Sequence, residues 1–222
     1  MNTKAWFAEF IGTLGLTFAV LVSLNNPNFP VATPIVAALT LGLFVYTLGH
    51  VSGTHLNPAI TIGIASIGKI TIPDAIGYLI SQFLGAFVAA LAAQYYFPTL
   101  TLLAVENTTT IGIAELIGAA IFALGVGTVV VGRVSGAVSG FVVGLSLLLG
   151  ISFAAPFSNG VLNPAVAFGI GSFSLAYIWG PIVGAICGMF LARYFAGTGF
   201  RATAATFDES VNIEVTRKKM FG

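Results

Sequence analysis

The chain has 222 residues, of which 57% are hydrophobic and only 7% charged, and its mean hydropathy is +1.02. A water-soluble domain carries roughly a quarter charged residues, so this composition cannot clothe a solvent-facing surface and reads as an integral membrane protein. The net charge of +1 gives no ground for a nucleic-acid or acidic partner, and the single cysteine, Cys187, can form no internal disulfide.

In chain order, the first apolar run covers residues 5–24. It lacks a distinct cleavage region and is read as a retained span rather than a signal peptide. Further runs follow at 31–50, 75–97, 111–131, 135–154 and 174–196. Each is long enough to cross a hydrocarbon core of ~30 Å at ~1.5 Å per residue. Polar or turn-rich pieces separate them: "NNPNFP" at 25–30, "GKITIPD" at 68–74, "ENTTT" at 106–110 and "GRVSG" at 132–136. Two more apolar pieces, 57–67 and 163–171, would form helices of only ~15 Å, about half a bilayer. Lipid cannot satisfy the backbone groups at the ends of such helices. A half-length helix at membrane depth must be buried in protein or line a wet cavity.

The charges orient the chain. The eight basic residues are Lys4, Lys69, Arg133, Arg193, Arg201, Arg217, Lys218 and Lys219. With six spans and both termini inside, all fall on the inner side or, for Arg193, near the inner end of the last span. The outward connections, including 25–30 and 98–110, carry none. This is the positive-inside pattern, and it supports the span count as well as the direction.

The chain is also internally duplicated. "AEFIG" at Ala8–Gly12 matches "AELIG" at Ala114–Gly118, and Asn57 matches Asn163, both at an offset of 106 (163 − 57). Later, Tyr78 with Tyr177 and Tyr95 with Tyr194 give 99 (177 − 78), so the second half is shorter between its half-helix and its third span. Three spans per half is an odd number, so the halves insert with opposite orientations. The expected organisation is a first repeat at 1–104, a second at 105–200 and a polar inner tail at 201–222. Inverted repeats with discontinuous helices place their site near the midplane, where the broken helices meet.

Each half-helix opens with the same tripeptide: Asn57-Pro58-Ala59 and Asn163-Pro164-Ala165. Proline suits the first helical position, because the N–H it lacks would be unpaired there anyway. Asparagine is a good N-cap. Two such helices facing head to head bring together two N-termini, each carrying about half a positive charge, and two amide donors. A passing water could accept from both amides while a cation or excess proton is repelled. The plainer alternative, that the asparagines only cap buried helices, would suit a single copy; two copies at one offset in opposed halves outweigh it.

These features, with "GHVSGTHLNPAIT" and the two Ala-Glu starts, resemble the aquaporin (major intrinsic protein) family over about residues 5–197. The resemblance implies an all-α integral membrane fold of six transmembrane helices plus two re-entrant half-helices. It also implies a homotetramer with one pore per subunit, passage of water or small uncharged solutes, and no cofactor. The membrane expected is the cell (inner or plasma) membrane, with both termini cytoplasmic.

One part departs from the family pattern. Aquaporins usually have an outer constriction of four positions, one an arginine three residues after the second asparagine; here that position is Val166. The other three fall by the family's spacing on Ala37, Ile151 and Gly160. Ala-Ile-Gly-Val lacks a donor side chain and has little bulk, and it is similar to part of the filter in plant vacuolar-membrane aquaporins. A wider, more apolar ring is expected, open to urea, ammonia, glycerol or peroxide besides water. A glycerol-specific facilitator fits less well, because Ala167 stands where that branch has an aspartate.

Four other residues stand out. Glu9 and Glu115 lie inside spans, where an ionisable group is costly and functional by default. Their equivalence under the repeat favours a structural role, holding the half-helix loops, over a proton relay. His50 and His55 flank the first tripeptide, and a metal site is not expected there, since no cysteine or carboxylate stands at ligand spacing. The family implies that His50 reaches the inner pore wall and that His55 fixes the loop by hydrogen bonds. The leading function is therefore a passive channel. A junction or scaffold protein with a closed pore is the alternative, though the outer loops are short. An enzyme finds no support, as no nucleophile–base pair or metal set is visible.

Overall fold

The computed structural model describes residues 2–100, 103 and 105–197; the polar tail at 201–222 and four of the eight basic residues lie outside them. The described residues form eight helices. In chain order these are α1 (Thr3–Asn25), α2 (Thr33–Ser52), α3 (Pro58–Ser66), α4 (Ile72–Tyr96), α5 (Thr109–Val130), α6 (Gly136–Ala154), α7 (Pro164–Ile170) and α8 (Ala176–Ala196). Six of them are long and apolar enough to cross a membrane. The fold is all-α, six spans and two half-helices, and the expected boundaries agree with it to within a few residues.

The half-length pieces end where the sequence placed their caps. Asn57 and Asn163 are the N-caps of α3 and α7, each with extended backbone and a proline directly after. The shortening of the second half, expected between half-helix and third span, is taken largely from the helices themselves. α3 has nine residues and α7 seven; α4 has 25 and α8 has 21.

Many large apolar side chains face outward, among them Leu39, Phe141, Leu43 and Phe7. In water this would be an aggregation hazard; against acyl chains it is the proper surface. The closest contacts between helices are made instead by small residues that let backbones approach. On α8, Gly180, Gly184 and Gly188 lie against the carbonyls of Gly112, Leu116 and Ala120 of α5, at four-residue spacing on both helices. The first half repeats the contact, with Gly85 of α4 against the Phe10 carbonyl of α1. Gly12 and Gly118 make equivalent room for the side chains of Leu56 and Leu162. The same packing thus recurs in both halves, and it leaves the two half-helices and their loops enclosed.

Candidate functional site: two half-helices capped head to head

The two loops entering α3 and α7 have the same unusual backbone. Leu56 and Leu162, each preceding its asparagine, are left-handed with φ of 47° and 57°; Thr54 and Gly160 are left-handed too, with φ of 53° and 60°. A non-glycine residue in this region is strained by about 1–3 kcal/mol. The strain turns the peptide after each leucine so that its carbonyl faces the opposite half of the molecule. Asn57 Nδ2 donates to the Leu162 carbonyl at 2.9 Å. Asn163 Nδ2 donates to the Leu56 carbonyl at 2.9 Å.

Each asparagine works at both ends of its amide. Asn57 Oδ1 accepts from the Ala59 N–H at 2.8 Å, which is the N-cap bond. Asn163 Oδ1 accepts from Ala165 and Val166 at 3.1 and 3.3 Å. A side-chain amide carries two N–H donors, so one stays available on each asparagine after the bond across the junction. Pro58, Ala59, Pro164 and Ala165 form the buried first turns behind them.

Two glutamates hold the strained loops. Glu9 of α1 accepts from the backbone of His55 at 2.9 Å and Leu56 at 2.7 Å, from Ser52 Oγ at 2.7 Å and from Gln82 Nε2 at 2.8 Å. Glu115 of α5 accepts from the backbone of Val161 at 3.0 Å and Leu162 at 2.6 Å, and from Ser158 Oγ at 2.7 Å. Both carboxylates are fully buried, at 0% exposure. A buried carboxylate is tolerable only when donors surround it, and here the donors are the loop amides themselves.

The halves differ around His55. Gln82 also donates to Thr61 Oγ1 at 2.9 Å, and Thr61 Oγ1 donates to the Asn57 carbonyl at 3.0 Å. His55 Nδ1 lies 3.2 Å from the same hydroxyl. Thr61 has one proton, already given to Asn57, so His55 Nδ1 is the donor and its Nε2 the bare acceptor. The ring also packs edge-on to Tyr78, with centroids 4.9 Å apart. In the second half Val161, Ala167 and Pro181 occupy the positions equivalent to His55, Thr61 and Gln82, and this network has no counterpart.

On the other side of the junction, Ala37, Ile151, Gly160 and Val166 all line one cavity of about 310 Å³. Residues from α2, α6, the second loop and α7 therefore converge, three with side chains and Gly160 with backbone alone, and Thr33 and Asn159 supply polar side chains beside them. His50 is not part of either cluster; it lies exposed in the last turn of α2. Among the described residues no three of His, Cys, Asp and Glu come together as metal ligands.

Several members of the site escaped the sequence reading. Leu103 lines the cavity at Val166, held by its N–H to the Ile170 carbonyl at 3.2 Å, although its segment read only as an outward connection. Ser52 and Ser158 are related by the same offset as Asn57 and Asn163. Tyr78 donates to the Ser52 carbonyl at 2.7 Å, whereas Tyr177 accepts from the Asn159 N–H at 2.8 Å. The repeat could have singled out the two serines; it had already paired the two tyrosines, but only as markers of register.

Six spans enclosing two mutually bonded half-helices define a multi-pass membrane protein of inverted-repeat architecture. The family model for major intrinsic proteins matches residues 1–192, and the chain belongs to this, the aquaporin, family. It is 35% identical to aquaporin TIP2-1 of Zea mays, over 91% of this chain and 92% of that protein. It is 31% identical to aquaporin NIP1-1 of Arabidopsis thaliana, over 82% of this chain and 70% of that one. Among solved structures, the aquaglyceroporin of Plasmodium falciparum superposes with a TM-score of 0.68, covering 89% of this chain and 97% of its own. At 23% identity that likeness concerns the fold.

Proposed function

We propose that the chain is a passive channel for water and other small neutral solutes, running past Asn57 and Asn163 and through the ring of Ala37, Ile151, Gly160 and Val166. The observation that carries this reading is the reciprocal bonding of the two asparagines across opposed helix heads. It orients both amides at one point and leaves each a donor for a passing oxygen. The converging N-termini disfavour a cation there, each by about half a charge. No group is activated for chemistry in this reading, and the protein transports rather than catalyses.

The ring sets the solute range. Val166 replaces a guanidinium that would fill the opening and offer donors, and Ala37 and Gly160 add no bulk. A neutral solute passing it sheds less of its freedom to a fixed charge, but must find hydrogen bonds on backbone carbonyls. Width outweighs the loss of donors in this reading, so urea and ammonia pass with water. The orientation follows from the basic residues: both termini face the cytoplasm, with the two repeats at 1–104 and 105–200 arranged in opposite senses. Likeness to the family adds four copies in a homotetramer. The family and the matching vacuolar-type relatives leave two host membranes, cell and vacuolar, and the charge bias holds for either.

The test is stopped-flow light scattering on proteoliposomes. An open pore raises osmotic water permeability well above that of empty vesicles and lowers its temperature dependence. Swelling in isotonic urea follows. Protein-containing vesicles indistinguishable from empty ones would retire the channel reading in favour of a closed-pore scaffold.

A further inference from the structure

We propose that the ring of Ala37, Ile151, Gly160 and Val166 opens sideways into an apolar pocket walled by Val20 and Leu24 of α1, which takes the alkyl end of a small neutral solute of the N-alkylurea type. The proposal rests on the channel reading above and adds a class of solute to it.

The pocket follows from helix phase. The cavity of about 310 Å³ at the ring is lined by α1 as well as by α2, α6, the second loop and α7. Val20 and Leu24 stand one turn apart on α1, and Thr33 and Ala37 one turn apart on α2, so a row from each helix borders the same space. Ala37 ends at its Cβ, and no side chain at that position screens the α1 row from the ring. Ser23 Oγ and Thr33 Oγ1 are hydrogen-bonded at 3.1 Å, which ties α1 to α2 at this level and fixes the back wall.

Size and chemistry decide what fits. An apolar cavity of about 150 Å³ is enough to bind benzene, and a water takes about 30 Å³ in the liquid. The cavity here is about twice the former, and no charged side chain is among its described lining residues. Walls of Val and Leu offer water no hydrogen bond, but they let an alkyl group leave water. Each methylene buried this way improves the partition about fourfold. One or two carbons therefore gain entry without binding so tightly that the solute fails to leave, which conduction requires. Thr33 serves the polar end, because its hydroxyl keeps hydrogen-bonding capacity after the bond to Ser23.

The experiment is stopped-flow swelling of proteoliposomes of the full chain in urea, N-methylurea and N-ethylurea, each flux taken as the increment over empty vesicles. Wild type should carry N-methylurea at least as fast as urea, although it is the larger molecule. V20F fills the pocket from α1 and should cut the methylurea-to-urea ratio several-fold. L24A widens the pocket and should raise N-ethylurea flux relative to N-methylurea. Osmotic water permeability is measured on the same vesicles. A wild type with none above empty vesicles retires the channel reading itself, whereas water flux with a methylurea-to-urea ratio well below one overturns the pocket alone. An unaltered ratio in a variant that still conducts water overturns it too. Should V20F carry no water, the L24A comparison decides, because that change only removes atoms from a partly exposed side chain.

Discussion

Asn57 and Asn163 each bond the backbone carbonyl immediately preceding the other, at 2.9 Å in both directions. Neither half-helix is therefore capped independently: the amide that ends one also fixes the peptide entering the other. Removing one asparagine loosens both.

Asn57→Ala deletes an N-cap worth about 1 kcal/mol. It also leaves the buried Leu162 carbonyl unpaired, which costs about 1–3 kcal/mol more. A clear drop in thermal stability in detergent is expected. Asn57→Asp keeps the cap acceptor but replaces the donor with negative charge, so cation conductance in planar bilayers should rise above the wild-type level. An unchanged conductance would remove the junction from the barrier to ions.

Glu9→Gln and Glu115→Gln both turn an acceptor into a donor facing loop amides. Each hydrogen bond to a charged partner is worth about 1.5–3 kcal/mol. Glu9 has a bond from Gln82 that its counterpart lacks, because Pro181 stands at the equivalent place. Thermal unfolding should show E9Q as the more damaging change. Equal losses would mean that the Gln82 contact contributes nothing.

Val166→Arg restores a guanidinium to a ring of Ala37, Ile151 and Gly160. It should cut urea permeability at least about tenfold while sparing water, since a bulky fixed donor obstructs the larger solute first. Isotonic-urea swelling of vesicles measures the effect. Undiminished urea flux would show that these four positions are not the narrowest part.

His55 should be the Nδ1–H tautomer, because the one Thr61 proton is already given to the Asn57 carbonyl. Solid-state ¹⁵N spectra of histidine-labelled protein read this directly: a protonated Nδ1 and a bare Nε2 are expected. Thr61→Val removes the acceptor and should shift the tautomer balance. A wild-type spectrum with the proton on Nε2 contradicts the assigned network.

Gly184→Ala places a methyl group against the Leu116 carbonyl, where backbone meets backbone. Overpacking of this kind costs about 1–3 kcal/mol. Gly68→Ala meets open space within 4 Å, although its φ of +73° still adds strain. The yield of monodisperse protein should fall more for G184A. A reversed order would undo the account of the α5–α8 interface.

Much of this molecule could be read from its residues. Run lengths gave the six spans, because a bilayer of fixed thickness demands them, and Asn-Pro at the head of two short runs gave the half-helices, because lipid tolerates no unpaired helix ends. The offset linking Asn57 to Asn163 gave the inverted halves. Glu9 and Glu115 stood out because a carboxylate inside an apolar run needs partners, though the sequence could not say which amides they were.

Only the tertiary structure decided the rest. The left-handed turns at Leu56 and Leu162 are disfavoured locally and exist because distant glutamates bind their N–H groups and distant asparagines bind their carbonyls. The polar cluster at His55, Thr61 and Gln82, and the arrival of Leu103 beside Val166, likewise join residues that no local pattern connects. Hydropathy and capping act over one turn or one span, so a sequence displays them directly. Which carbonyl meets which amide across the midplane depends on how small residues bring whole helices together, and that is settled only when all eight are packed.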